Sequence, residues 1–171
     1  DQLLQGCAAM MTSILHAPKP IIASVQGVAS AAGCQLVSAC DLAIASEDAT
    51  FCTPGVNIGA FCTTPLVGIG RNLSRKHALE MALTGDQFDA ATAERFGLIN
   101  RSVPASKLVQ ATEELANKIA SRSAESIARG KSAFYQQLEM PLDKAFELAN
   151  QVMRDNLTSE GDAKEGIGAF L

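Results

Sequence analysis

The apolar residues at the start of the chain recur at the spacing of an α-helix. They are Leu3, Cys7, Met11 and Ile14, which lie four, four and three positions apart. This pattern predicts an amphipathic helix over residues 2–16. Prolines follow at positions 18 and 20. Because a proline disfavours helical geometry in the residue before it, we expect the helix to end there.

The next thirty residues have the pattern of a strand–helix–strand unit. An apolar run at 21–25 predicts a buried strand, which Gly27 ends. Residues 31–40 carry no charge and are mostly small or aliphatic, which predicts a buried helix. The run at 42–45 then predicts a second short strand.

Residues 51–70 contain many residues that interrupt regular structure. They are Pro54, Gly55, Gly59, Pro65, Gly68 and Gly70. This density predicts a short strand and loops that lead into a helical turn. Loops of this kind often carry functional residues.

Capping residues mark two helices further along the chain. Ser74 is suited to begin a helix that Gly85 ends, and Asp89 is suited to begin one that Gly97 ends. We expect a strand over 98–103 after them.

The remainder of the chain is predicted to be helical. Apolar residues recur at helical spacing in three segments, 108–119, 127–138 and 142–152. The fold is therefore α/β passing into all-α. We predict one continuous structural domain, with its core in residues 1–103 and a helical region in residues 104–171.

Composition excludes several classes of protein. Of the 171 residues, 47% are hydrophobic and 19% charged, which is too apolar for a disordered chain. The net charge of −4 argues against a nucleic-acid partner. The apolar runs are shorter than the roughly 20 residues of a membrane span, so we expect no membrane segment. Five cysteines without a Cys-x-x-Cys spacing favour reduced thiols in a cytosol-like compartment.

The turn from Gly27 to Gly33 is the first candidate for chemistry. It joins a predicted strand to the start of a buried helix, where the first backbone N–H groups have no partner within the helix. Small side chains leave that backbone accessible, and the helix N-terminus favours negative charge. The turn is therefore a candidate oxyanion site. The alternative is that small residues only let the helix pack closely on the sheet.

Several blocks of sequence together resemble one protein family. The first runs from Pro20 to Phe61 and contains Gly27-x5-Gly33-Cys34, Cys40-Asp41-Leu42-Ala43-Ile44-Ala45 and Phe51-x2-Pro54-x4-Gly59. The others are Leu83-Thr84-Gly85, Ala90-x2-Ala93-x3-Gly97-Leu98-Ile99, Val103-Pro104 and Glu165-Gly166-x2-Ala169-Phe170. In this combination they cover nearly the whole chain and resemble the enoyl-CoA hydratase/isomerase (crotonase) family.

The resemblance implies a fold, an assembly and a substrate class. The fold would be a crotonase-like (ClpP/crotonase-like) spiral of ββα units with a C-terminal α-helical trimerisation region, and the assembly a homotrimer or hexamer. The substrate would be an acyl-CoA thioester, with coenzyme A entering as part of the substrate and no permanently bound cofactor. The compartment would be a bacterial cytoplasm or a mitochondrial matrix.

The resemblance also assigns catalytic positions. It places the backbone oxyanion donor at Ala32. The second donor would lie upstream of Asp1, because we expect the chain to start within a domain. The two glutamates of family hydratases fall on Gln35 and Gly55. An amide can orient water but cannot accept its proton, and glycine has no side chain, so we expect ordinary hydratase activity to be weak.

Substrate contacts and other candidates complete the expected site. The resemblance assigns substrate binding to Val28, Ala29, Thr53, Pro54, Asn57 and Phe61. A basic group at Arg71, Arg75, Lys76 and His77 fits either a solvated face, which we favour, or the phosphates of coenzyme A. We expect no metal site, since the chain has two histidines and no acidic cluster near either.

Three functions remain open from the sequence. The first is an acyl-CoA lyase or isomerase that stabilises a thioester enolate. The second is a non-catalytic acyl-CoA-binding or partner protein, which the loss of both carboxylates keeps open. The third, ranked well below these, is a serine hydrolase of the related Clp-type fold, with Ser30 near the position of the nucleophile.

Overall fold

A computed structural model describes residues 2–158 and 168 of the chain. The named residues of the terminal motif that begins at Glu165 lie outside the described residues. Among the described residues, no helix is both long and apolar enough to cross a membrane.

The first half of the chain alternates helices with short strands. The elements are α1 (Gln2–His16), β1 (Ile22–Val25), β2 (Val28–Ser30), α2 (Ala32–Ala39), β3 (Leu42–Ser46) and β4 (Thr50–Cys52). A 3₁₀ turn at Pro54–Ile58 follows. Next come α3 (Thr63–Asn72), α4 (Arg75–Thr84), β5 (Phe88–Asp89), α5 (Ala90–Phe96) and β6 (Arg101–Val103). A second 3₁₀ turn at Ala105–Lys107 precedes α6 (Leu108–Ala120), α7 (Ala124–Gln137) and α8 (Leu142–Thr158).

The strands form two sheets of three strands each. One has the order β1-β3-β6 and is parallel throughout. The other has the order β2-β4-β5, in which β2 and β4 are parallel and β4 and β5 antiparallel. Ser30, the last residue of β2, is paired with Cys52, the last residue of β4. The two strands therefore end side by side.

Small residues dominate the core between these sheets and helices. Phe51, Ile69 and Met81 are fully buried, and most of the other core positions are alanines. Alanine side chains let helices and strands approach closely, which explains the apolar but aromatic-poor composition.

The contacts within the chain define two compact units. The first comprises residues 1–15 and 21–116, and the second comprises residues 16–20 and 117–171. The second unit contains the end of α6 together with α7 and α8. The division at residue 103 expected from the family remains a prediction.

Most of the elements predicted from the sequence are confirmed. The first helix covers 2–16, and β1 and β3 match the two predicted strands. Ser74 and Asp89 cap α4 and α5 by accepting the backbone N–H groups of His77 and Thr92. Gly85 and Gly97 end these helices in the left-handed conformation, with φ of 69° and 91°.

Several sequence predictions were wrong in detail. Residues 28–30, expected to lie in a turn, form β2, because they pair with β4. Residues 63–72 form a full helix where loops and a turn were expected, because Pro65 lies in the first turn and needs no N–H partner there. The strand expected over 98–103 covers only 101–103, because Leu98 N–H still bonds to Ala93 at the end of α5. The helix expected from residue 31 begins at Ala32.

Candidate active site

The turn after β2 is held in an unusual backbone conformation at Ala31. Its φ of 47° lies in the left-handed region, and it is the one described non-glycine residue with positive φ. The Ala31 N–H donates to the carbonyl of Cys52 at 2.9 Å, and its carbonyl accepts the N–H of Gln35 at 2.9 Å. Strain of this kind persists only when the surroundings enforce it, and here the end of β4 does so.

Ala32 is the first residue of α2, and it is exposed. Its N–H belongs to the first helical turn, where amides lack a partner within the helix. Ala31, the N-cap residue, supplies no side-chain hydrogen bond. Within the described part of the chain, the Ala32 N–H therefore remains available to an oxygen atom from outside.

Gln35 lies one turn further along α2. Its side chain is only 9% exposed, and its amide has no hydrogen-bond partner within residues 2–158 and 168. The amide is not fully enclosed, since the one buried side-chain N or O atom without a partner among the described residues is Thr50 Oγ1.

Cys34 points into the core. Burial, together with smaller effects of the neighbouring thiols of Cys52 and Cys62, raises the pKa of the Cys34 thiol to about 12. The group stays protonated near neutral pH, so it cannot act as a base there.

Gly55 is buried in the 3₁₀ turn that follows β4. A methyl group on its Cα would lie 2.9 Å from Cys62 Sγ and 3.1 Å from Cys62 N. The Ala60 N–H also donates to the Gly55 carbonyl at 3.0 Å. The segment that leads into α3 therefore fills the space into which a side chain at this position would extend.

The six residues expected to bind substrate occupy different environments. Val28 and Phe61 are exposed, at 67% and 41%, while Ala29 is a core residue. Thr53 is fully buried, and its hydroxyl donates to the carbonyl of Met81 at 3.1 Å.

The other two, Pro54 and Asn57, belong to the 3₁₀ turn after β4. Pro54 is half-buried. The amide of Asn57 lies against Gly85, within 2.9 Å of where a Cβ of that glycine would stand. Val28 and Phe61 are thus the two of the six with large apolar side chains open to solvent.

Comparison with known proteins identifies the family. A sequence model of the enoyl-CoA hydratase/isomerase family matches residues 2–171. The chain belongs to this family. The resemblance of its motifs is thereby confirmed.

Individual relatives of the enoyl-CoA hydratase/isomerase family match over almost the whole chain. Enoyl-CoA hydratase domain-containing protein 3, mitochondrial, from Rattus norvegicus is 49% identical over 170 residues, which are 99% of this chain and 56% of the relative. The human protein of that name is 46% identical over the same length. The chain thus spans just over half the length of these relatives.

Solved structures of the family confirm the crotonase fold. An enoyl-CoA hydratase from Mycobacterium smegmatis superposes with a TM-score of 0.96 at 41% identity, covering 99% of this chain and 65% of that one. The crystal structure of human enoyl Coenzyme A hydratase domain-containing protein 3 gives a TM-score of 0.94 at 47% identity, with 98% and 66% covered. The segments Ala31-Ala32-Gly33-Cys34-Gln35 and Thr53-Pro54-Gly55-Val56-Asn57 also resemble the subgroup of which this human protein is a member, and these comparisons confirm that resemblance.

Two of the four residues of the basic group on α3 and α4 make contacts within the chain. Arg71 donates to the carbonyl of Val67 at 2.9 Å. The ring of His77 stacks on Phe96, with the ring centroids 3.6 Å apart and the planes within 6°. Arg75 and Lys76 are exposed.

The second unit has a separate groove of about 670 Å³ between α7 and α8. Its lining residues are Ala128, Arg129, Ser132, Ala133, Gln136, Leu148, Val152, Asp155 and Thr158. Arg129 is paired with Glu125 at 2.6 Å. Among the described residues that line it, no histidine is present to activate the Ser132 hydroxyl. The turn at Ala32 remains the candidate active site.

Sequence reasoning missed that α2 and α3 pack against each other. Gly68 in α3 lies against Ser38 in α2, and Asn72 Nδ2 donates to the Ser38 carbonyl at 2.9 Å. Cys62, the N-cap residue of α3, lies near Cys34 in the first turn of α2. Pro65, which suits the first turn of a helix, was the available signal for α3.

Proposed function

We propose that this chain forms the catalytic turn of a protein that acts on acyl-CoA thioesters by stabilising an enolate. The observation that supports this is the exposed Ala32 N–H at the uncapped start of α2, next to Ala31, which Cys52 holds in a strained turn. A thioester oxygen placed there would receive a hydrogen bond and the favourable field of the helix N-terminus.

The chemistry would begin at the carbon next to the thioester. Loss of a group from that carbon, or addition at the neighbouring one, leaves negative charge on the thioester oxygen. Donors fixed in advance at that oxygen stabilise the charge by several kcal/mol in known enzymes, about 2.7–4 kcal/mol for one donor. In this chain the fixed donor is the Ala32 N–H, and a further donor would come from elsewhere in the longer protein.

Ordinary water addition is the reaction that the site is least suited to. Gln35 offers an amide, which orients water without taking its proton, and Gly55 offers no side chain. Each absent acid–base group typically lowers the rate by about 10²–10⁴-fold. We therefore infer an acyl-CoA lyase or isomerase reaction in fatty acid metabolism that depends on enolate stabilisation rather than on two carboxylates.

A test measures binding and enolate formation in the same samples of the full-length protein. Titration calorimetry with acetyl-CoA and crotonyl-CoA reports binding. Exchange of the α-protons of acetyl-CoA in D₂O, followed by NMR, reports the enolate. Binding with exchange is the expected result, in which a base other than residues 34, 35 and 55 takes the α-proton, and absence of binding to either thioester would overturn the assignment to acyl-CoA chemistry.

The second candidate is an acyl-CoA-binding or partner protein without catalysis. The observation that favours it is Cys62, which fills the space beside Gly55 and leaves no room for a carboxylate. Binding without α-proton exchange, and without turnover of a panel of acyl-CoA thioesters, would establish this candidate in place of the first. The serine hydrolase alternative has Ser30 at the end of β2, but within the described residues neither His16 nor His77 makes a hydrogen bond to it, and His77 stacks on Phe96.

The second unit, which contains α7 and α8, is the proposed assembly region. Large apolar side chains on α7, α8 and the segment between them are each more than half exposed: Phe134, Leu138, Leu142, Phe146, Met153 and Leu157. Exposed apolar surface of this extent is typical of a subunit interface. We infer a trimer or a hexamer.

Light scattering of the full-length protein tests the assembly. Phe146→Asp should shift the mass to a smaller species, while Gln151→Glu, which adds the same charge at an exposed polar position of α8, should not. An unchanged mass in Phe146→Asp would exclude this face.

The named relatives also suggest a compartment. Those from Rattus norvegicus and Homo sapiens are mitochondrial proteins by name. We infer a mitochondrial matrix location, with a bacterial cytoplasm as the alternative. Imaging of the tagged full-length protein in its own cells distinguishes the two.

A further inference from the structure

The outer side of α4 carries two exposed leucines. Leu79 and Leu83 are 43% and 62% exposed, and they lie one turn apart on the same side of the helix. The opposite side packs into the core through the buried residues Ala78, Met81 and Ala82. Because this packing fixes the rotation of the helix, the two leucines face outward.

Basic residues continue the same surface toward the start of α4. Arg75 lies one turn before Leu79, and Lys76 follows it. Both are exposed, and neither makes an ion pair among the described residues. Arg71, in the last turn of α3, is also exposed, and it donates to the carbonyl of Val67 at 2.9 Å. Three cations and two leucines therefore lie within three turns of two consecutive helices.

The charge around these cations differs in sign from that of the chain. The net charge of the chain is −4, yet no aspartate or glutamate occurs between Asp48 and Glu80. The first turn of α4 contains no acidic residue. Exposed charges act over about 8 Å at physiological ionic strength, so neighbouring cations attract an anionic partner together. Charge complementarity thus favours an anionic surface as the partner of this region.

The leucines distinguish between the kinds of anion. A soluble phosphate would neutralise the cations but leave Leu79 and Leu83 in water. A bilayer of anionic phospholipids offers phosphates at its surface and apolar chains directly below them. Lysine and arginine side chains can keep their charged ends among the headgroups while apolar neighbours lie deeper.

We propose that the outer side of α4, together with Arg71 at the end of α3, binds the surface of an anionic phospholipid bilayer. The contact is peripheral: the bilayer is touched by side chains of a folded unit and is not crossed. It uses none of the residues of the candidate active site, so its failure would leave the proposed function unaffected.

Co-sedimentation of the full-length protein with vesicles tests the charge requirement. We expect binding to vesicles of mixed phosphatidylglycerol and phosphatidylcholine, and none to phosphatidylcholine alone. Each basic residue near an anionic surface contributes about fivefold to binding, so Arg75→Gln with Lys76→Gln should weaken it at least about tenfold. Lys118→Gln with Arg122→Gln is the matched control, because it removes two exposed cations elsewhere and should leave binding unchanged.

Tryptophan fluorescence tests the part played by the leucines. The chain contains no tryptophan, so Leu83→Trp introduces a probe on the proposed surface. Its emission, after subtraction of the parent spectrum, should shift to the blue on addition of the anionic vesicles. Val109→Trp, at a position of α6 that is 66% exposed, is the control and should not shift.

Three results would overturn the proposal. The first is absence of binding to the anionic vesicles, or equal binding to phosphatidylcholine alone. The second is unchanged binding in Arg75→Gln with Lys76→Gln, or equal spectral shifts at positions 83 and 109. The third is displacement of the vesicles by free coenzyme A at constant ionic strength, which would assign the cations to a soluble phosphate instead.

Discussion

Gly68 lies directly against Ser38, at the contact that aligns α3 with α2. A methyl group on the Gly68 Cα would lie 2.3 Å from Ser38 Oγ and 3.2 Å from Ser38 Cβ. The Ser38 hydroxyl is already engaged, since it donates to the Gln35 carbonyl at 2.8 Å. The close approach of the two helices thus depends on a glycine in the middle of α3.

The variant Gly68→Ala should destabilise the protein. The added methyl group overlaps Ser38, and overpacking of this kind costs typically about 1–3 kcal/mol. Urea denaturation gives the free energy of unfolding. Gly70→Ala is the matched control, because it lies in the same helix with nothing within 4 Å of a Cβ, and it should stabilise by up to about 1 kcal/mol. Equal effects of the two substitutions would contradict the observed contact.

A second stability prediction concerns Gly55. Its Cβ would meet Cys62 Sγ at 2.9 Å, so we expect Gly55→Ala to lower the free energy of unfolding by about 1–3 kcal/mol. In the double variant Gly55→Ala with Cys62→Ala, the clash with sulfur is absent. The combined loss measured in urea should therefore be smaller than the sum of the single losses, by roughly 0.5–3 kcal/mol. Strict additivity would show that Cys62 does not close this space.

Structural features that depend on neighbouring residues can be predicted from the sequence, and features that depend on distant residues cannot. The cap at Asp89 and the left-handed glycine at Gly97 follow from local chemistry, because the groups that satisfy them lie within a few residues. Gly68 looks like a helix breaker in the sequence, because the residue that requires it, Ser38, is thirty positions away. Packing over such a distance overrides local preference.

Part of the candidate site could likewise be predicted from the sequence, and part could not. The small residues before α2 and the family motifs locate the turn and Ala32. The positive φ of Ala31 has no signal in the sequence, because alanine disfavours such a conformation and adopts it only where its surroundings impose it. The contact of Cys52 with Ala31, before α2, and that of Gly55 with Cys62, before α3, join residues that are distant in the sequence, so local signals do not predict them.

The acid dependence of stability gives a test at Asp89. Its carboxylate caps α5 by accepting the Thr92 N–H at 2.8 Å, and these hydrogen bonds to Thr92 hold the pKa of Asp89 below its ordinary value of 3.8. A lowered pKa in the folded state means that the stabilisation is complete above that ordinary value and is lost as the pH falls below it.

Asp89→Asn separates the charge from the cap, because asparagine caps helices without titrating. We expect the variant to lose less stability than the parent between neutral pH and pH values under about 3.8, as measured by thermal unfolding across that range. Asp89→Ala serves as the control, since it removes the cap at every pH. If the stability of the parent and of Asp89→Asn fell equally with decreasing pH, this carboxylate would not contribute to the loss of stability in acid.

A further prediction concerns the reactivity of Cys34, which is fully buried. Burial raises the pKa of its thiol from 9.0 to about 12. Since the thiolate is the reactive form, Cys34 should resist iodoacetamide at mildly alkaline pH, whereas the half-buried Cys7 on α1 should be labelled. Mass spectrometry of peptides identifies the labelled residue, and labelling in urea shows that both sites react once unfolded.

The same raised pKa predicts a loss of stability in alkali. Between pH 9.0 and about 12 the unfolded chain releases the Cys34 proton while the folded chain keeps it, so the free energy of unfolding falls as the pH rises through this range. Cys34→Ala removes that contribution, and its stability should fall less steeply with pH. Rapid alkylation of Cys34 in the native protein, together with an unchanged slope in Cys34→Ala, would place this thiol outside the core and argue against the packing of α2 on α3.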